Sequence, residues 1–206
     1  MAHELSYDPI LHSQRHFRSL LDSMSRPGTI NELSAVDLTP PPGLNRASVL
    51  VAFALLNADV QFHLVGMTEQ EAAYLTTNTG SSHATEVAGA AFVFTAGHEP
   101  PALLEEINCG TLTYPDTAAT IVIQVEAMAQ EPSADGLILT LQGPGIDGRT
   151  SVWVRGLSPD LLLALQARNA EFPLGIDALV TCDGGGEGSA RVLGIPRTCQ
   201  VTWEVC

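Results

Sequence analysis

The chain has 206 residues, enough for one sizeable core, with 9 Lys plus Arg against 23 Asp plus Glu and a formal net charge of -14. All the cations are arginines, and the absence of lysine excludes a Schiff-base lysine, a Walker lysine and pyridoxal phosphate held as its usual aldimine. No basic run meets phosphates, which argues against nucleic-acid binding. A 45% hydrophobic fraction with only 16% charged residues argues against disorder and leaves surface for a partner to cover.

The N-terminus Met1-Ala2-His3-Glu4 lacks the basic segment and apolar core of a signal peptide, and no apolar run reaches the roughly 18 residues of a membrane span. Cys109, Cys182, Cys199 and Cys206 lack metal or redox spacing, so they read as reduced thiols of a cytoplasmic protein, with a Cys182–Cys199 disulfide as the lesser alternative. One domain over residues 1–206 is the simplest organisation.

After a segment broken by Pro9, the first helix is expected from Ser13, its cap, to Ser25, with Phe17, Leu20, Leu21 and Met24 on one face. His12 and His16 lie four apart, but no acid completes a zinc site, so they read as surface or packed histidines. Arg26 opens the Arg26-Pro27-Gly28 turn. There it favours the negative end of the helix dipole, or meets a carboxylate or phosphate across an interface. Asn45 caps a helix from Arg46 to about Asn57, and Phe62 and Leu64 mark a short strand. Thr68 with Glu71 makes a capping box for the next helix. Ser82-His83 is adjacent in sequence, which rarely aligns a nucleophile with its base, and no Gly-x-Ser-x-Gly elbow is present.

Val87 to Thr95 reads as a strand, Pro100 to Ile107 as a short helix, and Ala119 to Ala127 as the central strand, apolar enough to be covered on both faces. Strands follow at Leu137–Leu141 and Thr150–Val154. Ser158 caps a helix running to Glu171. Pro173 stops that helix, Gly175 relieves the turn, and Ile176, Leu179 and Val180 begin a buried strand. Asp177 is the one charge in this junction, either capping a turn or serving a binding or interface role. Ala190–Gly194 and Thr198–Val205 are expected to complete the same sheet. Gly143-Pro144-Gly145 and Gly184–Gly188 read as turns, not as nucleotide-binding loops. The order favours an α/β three-layer domain with a mixed central sheet.

Three motifs carry a resemblance: Phe17-Arg18-x-Leu20-Leu21 through Met24-Ser25-Arg26-Pro27-Gly28, Phe172-Pro173-Leu174-Gly175-Ile176-Asp177, and Ile195-Pro196-Arg197-Thr198. With Ala118–Val122 and Leu141-x-Gly143-Pro144-Gly145-Ile146, the chain resembles the PhnH family, subunits of the bacterial carbon–phosphorus lyase core complex. The resemblance runs from about residue 10 to Cys206. It implies a fold like type I pyridoxal-phosphate transferases without cofactor or lysine, a homodimer, and association with PhnG, PhnI and PhnJ subunits. It also implies a place in phosphonate catabolism, where ribose 1-phosphonate 5-triphosphate is made from ATP and an alkylphosphonate. Tyr114–Ala118 and Gly184–Ser189 depart from the family pattern.

The residues of interest are then Arg26, Asp177 and Arg197, the charges at the three motif turns, as ligand or interface groups. Either they meet phosphate oxygens or they pair with acids to hold loops and an interface. No residue is assigned a catalytic role, no metal site is expected and no cofactor is expected in this chain. The alternative function is a stand-alone phosphorylated-nucleotide binding module or transferase.

Overall fold

A computed structural model describes residues 7–185 and 189–206. Its elements are α1 (Leu11–Ser25), β1 (Ile30–Leu33), α2 (Arg46–Leu55), β2 (Gln61–Leu64), α3 (Glu69–Thr79), β3 (Ser82–His83), β4 (Phe92–Ala96) and α4 (Leu103–Glu106). They continue with β5 (Thr120–Gln124), β6 (Ala127–Ala129), β7 (Leu137–Gln142), β8 (Thr150–Arg155), α5 (Pro159–Arg168), β9 (Asp177–Asp183), β10 (Ala190–Ile195) and β11 (Gln200–Val205).

The strands form two sheets, which corrects the expectation of one. A seven-stranded sheet has the order β1-β10-β9-β5-β4-β2-β3, and a four-stranded sheet has the order β11-β7-β8-β6. In the large sheet β3, β2, β4, β5 and β9 run parallel, and β10 is inserted antiparallel between β9 and β1. The expected α/β architecture with a mixed sheet is therefore present. β11, expected in that sheet, pairs with β7 in the small one. The small sheet is antiparallel throughout.

Alternation along the central strands sorts the core into two layers. Phe94, Val122, Leu179 and Val192 pack with α2, α3 and Leu20 of α1 on one face. Val93, Ile121, Ile123, Ala178, Val180 and Leu193 pack on the other face against β7, β8, α4 and α5. β5 is the middle strand, as its unbroken apolar run requires: Ile121, Val122 and Ile123 are each at most 1% exposed. The single strand expected over 119–127 instead breaks at Val125–Glu126. Glu126 N donates to Arg155 O at 2.9 Å, carrying the chain from one sheet into the other.

Local signals set the helix starts. Asn45 accepts from Ser48 N at 2.7 Å, and the Thr68–Glu71 box closes, with Thr68 N donating to Glu71 Oε2 at 2.8 Å. Ser13 does not cap α1. Asp8 does so from outside the helix, accepting from Ile10 N at 2.8 Å and Leu11 N at 2.9 Å. α5 ends at Arg168, short of the expected Glu171, because Asn169 turns the chain back. β9 and β10 form the expected hairpin, closed by Gly184 N to Ser189 O at 2.9 Å; the glycine-loop residues 186–188 lie outside the described residues.

Candidate functional site

The register places Phe92, Thr120 and Asp177 in one row at the N-terminal edge of the parallel strands β4, β5 and β9. β10 runs the other way, so its exit through Pro196 brings Arg197 to that same edge. Residues twenty positions apart thereby meet. Arg197 N donates to Asp177 Oδ1 at 2.8 Å, and its Nε and Nη2 donate to Oδ2 at 3.1 and 2.6 Å. Nη1 donates to Pro115 O at 3.0 Å and to Pro173 O at 3.4 Å. The two side chains are 13% and 24% exposed, so the pair is largely shielded from water. Four of the guanidinium's N–H groups are engaged by protein oxygens, which leaves little donor capacity for a phosphate. The arrangement is a strut joining the loops that precede β5 and β9 to the exit of β10.

The Phe172–Asp177 stretch is built around this strut. Asn169 clasps the backbone of Ile176: its Oδ1 accepts from Ile176 N at 2.7 Å and its Nδ2 donates to Ile176 O at 3.1 Å. Gly175 has φ +144°, and a Cβ there would stand 2.5 Å from Asn169 Oδ1 and 3.2 Å from Arg197 Cβ. Only glycine fits both the backbone and the space. Gly175 N also donates to Cys109 O at 3.1 Å, tying in the segment after α4. Sequence reading missed Asn169 and Pro115. A lone Asn at a helix end carries no distinctive signal, and a backbone carbonyl acceptor carries none at all.

Arg26 is not brought to the pair. Its Nε donates to Asp22 Oδ1 at 2.9 Å, within its own helix end, and its side chain is 62% exposed. Arg26 thus stays at the end of its own helix, where its carboxylate partner lies four residues back along α1. This partnership holds Asp22 below the usual carboxylate range. The Arg26 turn nevertheless packs into the assembly of motifs, since a Cβ on Gly145 would stand 2.2 Å from Ser25 O. Pro144 in turn lines, with Phe172, Arg197 and Thr198, an open cleft of about 700 Å³. On the other side of the edge row, Phe17, Leu20, Leu21, Met24, Leu55 and Leu179 enclose an apolar groove of about 190 Å³.

Chemically this edge is quiet. The Cys199 thiol in the cleft is pushed up to about 11 by burial, and further by the Asp177 charge, so it stays protonated at neutral pH. Cys182 is likewise raised to about 11 by burial on β9, while Cys199 precedes β11 of the other sheet; both are free thiols, as expected of the reduced reading.

The C-terminal edge has a different character. Asn45 N donates to Gln124 Oε1 at 2.6 Å, and Gln124 Nε2 donates to Gly43 O at 2.9 Å. With His98 and Glu126 they line an open cleft of about 550 Å³. At the β2–β3 corner, His83 stacks on His63 with centroids 5.2 Å apart and lies below the ordinary histidine range through burial and its neighbour His63. Its Nε2 accepts from Leu64 N at 3.3 Å, whereas Ser82 Oγ accepts from Gln61 Nε2 at 3.3 Å, so the two are not paired as base and nucleophile. His12 and His16 stack at 6.3 Å beside Tyr7. Among the described residues, no three His, Cys, Asp or Glu side chains are grouped to hold a metal ion, and no helix is long and apolar enough to cross a membrane.

The chain is similar in sequence to known proteins along most of its length. The profile of the family described as "Bacterial phosphonate metabolism protein (PhnH)" matches residues 6–202. "Alpha-D-ribose 1-methylphosphonate 5-triphosphate synthase subunit PhnH" of Rhizobium meliloti (strain 1021) is 33% identical over 200 residues, covering 96% of this chain and 94% of the relative. "Putative C-P lyase subunit protein HtxG" of Stutzerimonas stutzeri is 28% identical over 191 residues, covering 91% of this chain and 85% of the relative.

Proposed function

Since the chain belongs to the PhnH family of bacterial phosphonate metabolism proteins, we propose that it is a subunit of a carbon–phosphorus lyase complex. In that complex it supports formation of a ribose 1-phosphonate 5-triphosphate from ATP and an alkylphosphonate, by assembly and surface formation and not by catalysis of its own. The single observation that carries this reading is the family match along nearly the whole chain, joined to the likeness to a named synthase subunit. The geometry supports it, because the charged residues at the motif turns are spent on protein partners. Arg197 and Asp177 brace three loops, and Arg26 closes the end of α1.

The finer parts of the proposal rest on the family resemblance. The chain acts as one unit over residues 1–206, forms a homodimer, joins PhnG-, PhnI- and PhnJ-like subunits, and works in the cytoplasm within a transferase and lyase assembly. The large mixed sheet supports a fold like that of type I pyridoxal-phosphate transferases, and the lysine-free sequence accords with the lack of their cofactor.

The test is the native mass of the tagged chain recovered from cells using a phosphonate as phosphorus source. The expected result is a multi-subunit assembly that makes the ribose phosphonate triphosphate. A chain recovered without those subunits, which turns over ATP and phosphonate alone, overturns the reading in favour of a stand-alone transferase.

A further inference from the structure

We propose that Leu112, Tyr114 and Phe172, rimmed by Asp116 and Glu171, form a preformed docking knuckle for a different protein subunit that brings an apolar socket edged with arginine or lysine. This inference rests on the chain being a subunit of a complex, and adds where and by what chemistry it docks.

Three large apolar side chains at this edge are 76%, 62% and 67% exposed. Singly, exposed apolar residues mean little. Here, however, the loops carrying them are fixed before any partner arrives. Thr111 N donates to Tyr114 O at 3.1 Å, Tyr114 N to Thr111 Oγ1 at 3.0 Å, and Thr117 Oγ1 to Tyr114 O at 2.8 Å. Asn108 Nδ2 then pins Thr117 O at 2.9 Å. The same Nη1 of Arg197 binds the carbonyls of Pro115 and Pro173, the residues immediately after Tyr114 and Phe172. One guanidinium nitrogen therefore sets the two aromatic-bearing backbones side by side. Ordering these loops on binding costs little further entropy, and rigid aromatic anchors of this kind dominate protein interfaces.

Charge selects the partner. Asp116 and Glu171 are exposed, Glu171 beside Phe172 and Asp116 two residues beyond Tyr114, and the nearby Arg197 is already neutralised by Asp177. The chain carries -14 and has no lysine, so a second copy would bring its own acidity to the contact, whereas a basic-edged subunit would relieve it.

The experiment titrates full-length chain against the remaining purified subunits of the complex and reads Kd by light scattering and fluorescence, beside the chain's own oligomeric state. Y114A/F172A removes only exposed side chains, so it folds, as circular dichroism checks. It is expected to weaken binding at least about tenfold. D116R/E171R is expected to weaken binding several-fold, and raising salt from about 0.1 to 0.5 M to weaken the wild type. If both variants bind as the wild type does, the knuckle is wrong while the subunit reading stands. If the variants keep the other subunits and lose only self-association, the occupant is a second copy and the proposal is overturned. A wild-type chain that binds none of the subunits overturns this proposal and the subunit reading together.

Discussion

The two ends of the parallel sheet divide the molecule's chemistry. The C-terminal edge, where open α/β sheets bind their ligands, is lined by side-chain amides, His98 and Glu126, and its helix α2 is capped internally by Asn45. The N-terminal edge holds the motif turns, an apolar groove and exposed aromatics, and its Arg197–Asp177 pair is turned inward on the fold. The contrast shows that the most distinctive residues of a chain need not line a ligand site. Here they build a rigid surface at the end of the sheet where chemistry is ordinarily absent.

Breaking the strut should separate the two ends most sharply. Arg197→Ala removes the side-chain bonds to Asp177, Pro115 O and Pro173 O together, and is expected to cost about 2–3 kcal/mol in chemical denaturation. Gln124→Ala at the opposite edge removes neutral hydrogen bonds to Asn45 N and Gly43 O and is expected to cost about 1 kcal/mol. Equal losses would erase the distinction. Gly175→Ala comes next, at about 1–3 kcal/mol in the same assay, since φ +144° and the Asn169 amide leave a Cβ no room. Asn45→Ala is expected to cost about 1 kcal/mol through the lost α2 cap, without disturbing assembly.

The smallest effect is one of pH, away from both edges. His16 is fully buried, with Nε2 bonded to Ser34 O at 3.0 Å; burial first, then the neighbouring His12, lowers its proton affinity. The unfolded chain therefore binds a proton that the folded chain resists. The stabilisation is complete above the unfolded histidine range near about 6.5 and is lost as pH falls through the lower folded value. Thermal midpoints measured from pH 7.5 to 5 should fall, and H16Q should flatten that part of the curve.

The sequence made much of this legible where the physics is local. Asn45, the Thr68–Glu71 box, the Ser158 cap and the apolar run of β5 each act within a few residues, and each appears where expected. The division into two sheets was not legible. Leu137–Leu141 alternates in the same way whichever sheet it joins, and only the crossing at Glu126 and the pairing of β11 with β7 decide it. At the site, Asp177 and Arg197 were singled out as charges at turns. Their union required the antiparallel return of β10, a long-range fact. Arg26 was grouped with them by motif, but its own helix already supplied Asp22 as partner.

The central claim, that the N-terminal edge is the assembly surface, is tested most directly by hydrogen–deuterium exchange of the chain alone and within the complex. The account predicts new protection in residues 110–117 and 170–176, with residues 43–45 and 96–98 unchanged. Protection confined to residues 43–45 and 96–98, with 110–117 and 170–176 exchanging as in the isolated chain, would contradict it.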